Sequence, residues 1–310
     1  MIEMKQIKLI IGIVVAITLL AAMVPIINNA SESNPDLDVF VIAGQSNTYP
    51  TINTDAATAT PIPDEGKGYY FGTETAPTYN KTFDLSTCKM YDINNDGVAR
   101  IGGLFPSFAS EYSSKSGHAV YLIDTGISGQ PIATFLPGGS NYDWPGQVID
   151  AAISAIPSGY NVNVRGYIWI QGEGDASRPT QTYEVNMIKL HDLYSGGALP
   201  VNLPTCFICK VRDETGGNAA FAQTWLVDNH IPGFVMASVL PDTFTTDNGL
   251  LGSDELHYTQ TGFNDLGVDL AKNIPRISNE TPDYTGLLMM IVPLIIIALI
   301  VACVKFGNRD

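Results

Sequence analysis

The chain has 310 residues, with 31 acidic against 16 basic side chains and a formal net charge of −15. That balance argues against a nucleic-acid partner, which demands a basic face. No phosphate loop is present, and no G-x-G-x-x-G precedes a helix.

In chain order, residues 1–30 read as a membrane anchor. Leu9 to Ile27 is almost continuously apolar behind Lys5 and Lys8, and about 17–25 such residues suffice to cross a bilayer. A cleavable signal peptide is the alternative. The anchor is preferred because the apolar core is long and Pro25 to Ala30 make a poor cleavage site. Residues 31–36 form a polar linker. Residues 37–275 then carry strands alternating with helices and no internal repeat, which implies one α/β domain with a parallel sheet covered on both faces.

Five strands are expected: Asp38 to Ala43, Ala119 to Ile123, Val164 to Ile170, Thr205 to Val211 and Phe234 to Leu240. Each is a short apolar run of the kind that a buried parallel strand requires. Helices are expected over Leu104 to Ser114, Gln147 to Ile156, Thr182 to Tyr194, Ala219 to Asn229 and Gln260 to Lys272. Thr48 to Arg100 lacks periodicity and reads as loop with short hairpins. Within it, Asp92, Asn94 and Asp96 fit the first half of a calcium loop, D-x-N-x-D-G, but the closing glutamate position is Gly103. A plain turn is favoured, with calcium as a weak candidate.

A linker at 276–285 leads to a second apolar run, Leu287 to Val304, read as a transmembrane helix over 286–305. A tail at 306–310 follows. Basic residues outside both spans place the two termini on the interior side and the acidic domain outside, on a cell surface or a viral envelope. Four cysteines say little. Cys303 lies in the second span. Cys206 and Cys209 point to opposite faces of one strand, either is within the scope of pairing with Cys88, and buried free thiols are preferred. Asn29, Asn80 and Asn279 match the glycosylation acceptor pattern.

Chemistry in an open α/β sheet sits beyond the carboxyl ends of the strands. Ser46 emerges there, in Gly44-Gln45-Ser46-Asn47. A serine nucleophile needs a base. His118 lies at a strand entrance, on the wrong side, and His191 and His230 lie on or near helices. His257 alone follows a strand, with Asp254 three residues earlier, close enough to accept from Nδ1–H and leave Nε2 for Ser46. The bland alternative has Asp254 capping the next helix. Acyl transfer also needs oxyanion donors. The candidates are the backbone N–H groups of Ser46 and Gly129 and the side-chain amide of Gln171, which could equally be a buried amide tying loops together.

Gly44-Gln45-Ser46-Asn47, Trp169-Ile170-Gln171-Gly172-Glu173-Gly174-Asp175 and Asp254-x-x-His257 together resemble the SGNH/GDSL hydrolase superfamily. They are most similar to its branch of sialate O-acetylesterases and acetylxylan esterases. The likeness spans roughly residues 38 to 272. It implies a three-layer α/β/α, flavodoxin-like fold with a five-stranded parallel sheet. It also implies a Ser46–His257–Asp254 triad, an oxyanion hole of Ser46, Gly129 and Gln171, and supporting or substrate-binding places for Gln45, Asn47 and Glu173. Two positions depart from the pattern: Thr48 stands where methionine is usual, and Ser128-Gly129-Gln130 replaces Gly-Gly-Thr. The expected function is a membrane-anchored carbohydrate O-acetylesterase without a required cofactor, acting on an O-acetylated glycan. A glycan-binding attachment protein of a virion envelope is the alternative. Partners beyond glycan and lipid, whether a homo-oligomer or an envelope assembly, are left open.

Overall fold

The computed structural model describes residues 34–51 and 53–275. Both apolar runs, Asn29, Asn279 and Cys303 lie outside the described residues. Among the described residues no helix is long and apolar enough to cross a membrane.

The strands in chain order are β1 (Asp36–Gly44), β2 (Gly68–Thr73), β3 (Ala76–Pro77), β4 (Lys89–Asp92), β5 (Asn94–Asn95), β6 (Val98–Ala99), β7 (Ala119–Asp124), β8 (Asn161–Ile170), β9 (Cys206–Cys209) and β10 (Phe234–Ser238). The helices are α1 (Phe105–Ser116), α2 (Trp144–Ser154), α3 (Thr180–Ser195), α4 (Asp213–Gly216), α5 (Asn218–Asp228) and α6 (Gln260–Asn273). Each expected helix is present within a few residues of its expected ends.

β1 is buried from Leu37 to its end, as befits a central strand covered on both faces. It runs parallel to β7 on one side and β8 on the other. The sheet order is β10-β9-β8-β1-β7-β2-β3, with β4 paired to β2. Alternation along β1 divides its side chains between two cores. Val39 and Val41 join a cluster with Val148, Met187 and Leu226, from α2, α3 and α5. Phe40 and Ile42 join Phe105 and Phe108 of α1 and Phe263 and Leu266 of α6. Each such side chain contributes about 1.5–3 kcal/mol on burial. The winding reverses between β1 and β8, and such sheets bind ligands beyond the carboxyl ends of the strands at that point.

The expected five-stranded sheet is corrected in one respect. β2 adds a sixth parallel strand beside β7, and β3 and β4 extend the edge antiparallel. The sequence hides β2 because glycines bracket a run of only three aromatics, too short for a periodic signal. Gly68 is required there: a Cβ would lie 2.7 Å from Pro63 and 2.8 Å from Ala109.

The stretch that carries the weak calcium candidate folds as a tight turn. β5 and β6 form a hairpin whose two-residue loop is Asp96-Gly97, both at positive φ, the standard chemistry of such a turn. Asp92 spends Oδ2 on the Gly66 N–H and Oδ1 on the Asn94 N–H. The three residues shape a turn, and among the described residues no group of three or more His, Cys, Asp or Glu is placed to hold a metal ion. Cys88, Cys206 and Cys209 are free thiols, all buried.

Candidate active site

The backbone sets Ser46 in place. At Gly44, φ is +137° and a Cβ would lie 2.0 Å from the Ile170 carbonyl oxygen. Only glycine fits. That close approach lets the Gln45 N–H donate to the Ile170 carbonyl at 2.9 Å, just ahead of a short turn, Ser46–Thr48. The Ser46 N–H opens that turn and so has no intrahelical acceptor.

The loop before α6 supplies the partners. Asp254 Oδ1 accepts the N–H groups of Leu256 (3.1 Å) and His257 (3.0 Å), folding the loop back on itself. Its Oδ2 lies 2.7 Å from His257 Nδ1, and His257 Nε2 lies 2.8 Å from Ser46 Oγ. Burial raises the Asp254 pKa, but the His257 ring and the two backbone donors outweigh it and hold the carboxyl down at about 2. The helix cap is Thr259, whose side chain accepts from the Gly262 N–H, so Asp254 is left to His257.

Asn47 ties the two loops together. Its Nδ2 donates to the Leu256 carbonyl (3.2 Å) and to Glu173 Oε1 (3.3 Å), and its Oδ1 accepts from the Tyr258 N–H at 3.3 Å. Gln45 Oε1 accepts from the Gly174 N–H at 3.2 Å. Both side chains are buried and support the site rather than line it. Glu173 Oε2 is enclosed and without a partner among the described residues. Burial pushes its carboxyl up, against the lowering pull of the Asn47 hydrogen bond and nearby His257.

Of the three expected oxyanion donors, Gln171 is corrected. Its Nε2 donates to Asp175 Oδ2 at 2.7 Å and to the Gln130 carbonyl at 3.1 Å, while Oε1 accepts from Tyr183 at 2.8 Å. An amide has two N–H donors, and both are spent. Gln171 is the buried amide that ties loops together. The carbonyl it holds belongs to the residue after Gly129, which is exposed at φ +67°.

Two residues that sequence reasoning assigned no part in the site emerge here. Asp175 is 2% exposed and gathers Gln171, the Ile132 N–H and Arg178; a carboxylate four residues after Gln171 was the available signal. Asn80 accepts from the Ser128 N–H and donates Nδ2 to the Tyr49 hydroxyl at 2.9 Å. The side chain that matched a glycosylation acceptor is thus occupied in the site wall, and nothing local in its sequence marks that. The other histidines stand apart from Ser46. His118 lies 3.2 Å from Asp38 at the opposite rim, and His191 packs against Tyr167 and Phe234. His230 sits exposed in a turn.

Ser46 and His257 open into a cavity of about 500 Å³ that is also lined by Tyr49, Pro50, Tyr79 and Ser128. Tyr49 and Tyr79 stack at 4.2 Å between ring centroids, forming a flat aromatic wall.

A doubly wound parallel sheet with this serine after its first strand, and Asp-x-x-His before its last helix, has the layout of the SGNH-type ester hydrolases. The model of one family, described as carbohydrate esterase, sialic acid-specific acetylesterase, matches residues 36–276, and the chain belongs to that family of carboxylic ester hydrolases. A solved protein from Arabidopsis thaliana shares the fold at a TM-score of 0.51 and 19% identity, over 77% of this chain and 97% of that one. A carbohydrate acetylesterase from Xanthomonas citri aligns at a TM-score of 0.49 and 14% identity, over 76% of this chain and 56% of that one. No curated protein sequence matches the chain.

Proposed function

We propose that the protein is a membrane-anchored serine esterase that removes O-acetyl groups from carbohydrate. The observation that carries this reading is the continuous line Asp254–His257–Ser46, ending at an open cavity. Ser46 Oγ attacks the acetyl carbonyl while His257 Nε2 takes its proton. Asp254 holds the ring and balances the imidazolium. The Ser46 and Gly129 N–H groups receive the oxyanion, and Gln171 fixes the loop that carries Gly129. His257 returns the proton to the departing sugar oxygen. Water, deprotonated by the same histidine, then releases acetate from Ser46. These steps use side chains, backbone N–H groups and water. The two apolar runs bracketing the domain supply the anchor, with both termini inside.

The same runs favour a second reading, attachment of an envelope to O-acetylated glycans, with or without hydrolysis. The discriminating experiment uses the purified full-length chain in detergent with p-nitrophenyl acetate, beside Ser46→Ala. The esterase reading expects acetate release that falls at least about 10⁴-fold in the variant. Turnover equal in both, or absent in both, would reject it. Glycan binding without turnover would support attachment.

A further inference from the structure

The cavity at Ser46 has a neighbour. A second cavity of about 250 Å³ shares Pro50 and Tyr79 with it and is floored by Arg100, Ile101 and Gly102. The first is large enough for a sugar unit bearing the reacting acetyl group, and the second has room for one adjoining ring.

Arg100 gives the second cavity its chemistry. Among the described residues it is the one permanently charged cation lining either cavity, and Asp254, which lines the first, is committed to His257. Its guanidinium sits over the Tyr91 ring at 5.7 Å, which fixes its plane. Nε is enclosed and has no hydrogen-bond partner among the described residues. Nη1 reaches only Glu74 Oε1, at 3.2 Å, from a side chain that is 73% exposed where that of Arg100 is 19% exposed. A solvated carboxylate partner of this kind contributes roughly 0–1 kcal/mol and is readily exchanged. With Nε enclosed, a ligand meets the Nη1–Nη2 edge of the guanidinium, and that planar pair of donors matches one ligand group above others, a carboxylate held by two parallel hydrogen bonds.

We propose that this second cavity is a subsite for an acidic sugar unit beside the acetylated one, with Arg100 reading its carboxylate. The inference rests on the esterase reading and narrows the substrate to O-acetylated acidic oligosaccharides. The domain's negative charge does not override the contact. At physiological salt the screening length is about 8 Å, so a carboxylate seated on Arg100 responds to that cation far more than to distant acidic side chains.

The test uses the full-length chain in detergent, with unacetylated trigalacturonate and xylotriose as competing inhibitors of p-nitrophenyl acetate hydrolysis. The ratio of the two inhibition constants is measured within each variant, so a change in overall rate cancels. Trigalacturonate is expected to inhibit at the lower concentration, with its advantage shrinking as salt rises. Arg100→Gln reduces that advantage about tenfold, equivalent to about 1.4 kcal/mol. Glu74→Gln, on an exposed side chain, increases it by freeing the guanidinium. Equal inhibition of the unaltered protein by both oligomers, or a ratio unchanged in both variants, overturns the proposal. If the ester is not hydrolysed at all, the esterase reading fails by itself. Calorimetric titration of the same two oligomers then decides the subsite: an acidic preference lost in Arg100→Gln upholds it, and no preference overturns it.

Discussion

Two aspartates at the carboxyl rim of the sheet are driven in opposite directions. Asp254 is held down at about 2 because His257 and two backbone N–H groups outweigh its modest burial. Asp124 is pushed up to about 8, chiefly by complete burial, with only Gly126 N–H and Thr48 acting against it. Asp254 is therefore ionised above about pH 2 and stays a carboxylate beside the His257 ring across the neutral range. Asp254→Asn is expected to cut kcat by about 10⁴-fold, as removal of the orienting carboxylate does in such triads; kcat measured beside the unaltered protein at neutral pH reads the effect. The stability consequences have opposite signs. The contribution of Asp254 is present above pH 3.8 and is lost as pH falls through about 2. That of Asp124 is complete below pH 3.8 and is lost as pH rises through about 8. Thermal melts of Asp124→Asn should show a flatter decline between those two values than the unaltered protein. Parallel curves would show that the buried carboxyl does not titrate there.

At the scale of elements, the site depends on two loops being brought together from opposite ends of the domain. The exit of β1 carries Ser46, the approach to α6 carries His257, and Asn47 fastens one to the other through the Leu256 carbonyl and the Tyr258 N–H. Asn47→Ala removes these ties while leaving Ser46 and His257 intact. An error in placement of about 1 Å costs about 10²-fold in rate, so kcat should fall by that order with KM little changed. A fall confined to KM would instead assign Asn47 to substrate. Gly44→Ala strikes the backbone itself, since its Cβ would meet the Ile170 carbonyl oxygen at 2.0 Å. A loss exceeding about 4 kcal/mol is expected, measured by urea unfolding.

Across the whole domain, the two rims of the sheet do different work. The carboxyl rim holds the candidate chemistry. The amino rim holds a buried charge cluster in which Asp38 receives the Tyr112 hydroxyl at 2.6 Å and faces Arg165 at 3.5 Å and His118 at 3.2 Å. Arg165 is 4% exposed and Asp38 is fully buried. Breaking such a pair strands a charge out of water, which costs about 3–5 kcal/mol. Arg165→Met should lower the unfolding free energy from urea titration by that amount, with p-nitrophenyl acetate turnover preserved in the fraction that remains folded. The distance between the rims makes the stability and activity effects separable.

The sequence by itself determined the winding of the domain, because five apolar strands alternate with helices of clear period, and local pattern dictates such elements. It also singled out Ser46, Asp254 and His257: the first ends a strand abruptly, and the other two lie within one turn of loop. Tertiary structure alone decided the rest. β2 exists through its pairing with β7, since a run of three aromatics between glycines has no period of its own. The Gln171 amide is spent on Asp175 and the Gln130 carbonyl, and Asn80 on Ser128 and Tyr49. Gln130 lies 41 residues from Gln171 and Ser128 lies 48 from Asn80. A hydrogen bond binds whatever the fold brings within 3 Å or so, and sequence neighbours carry no record of that choice.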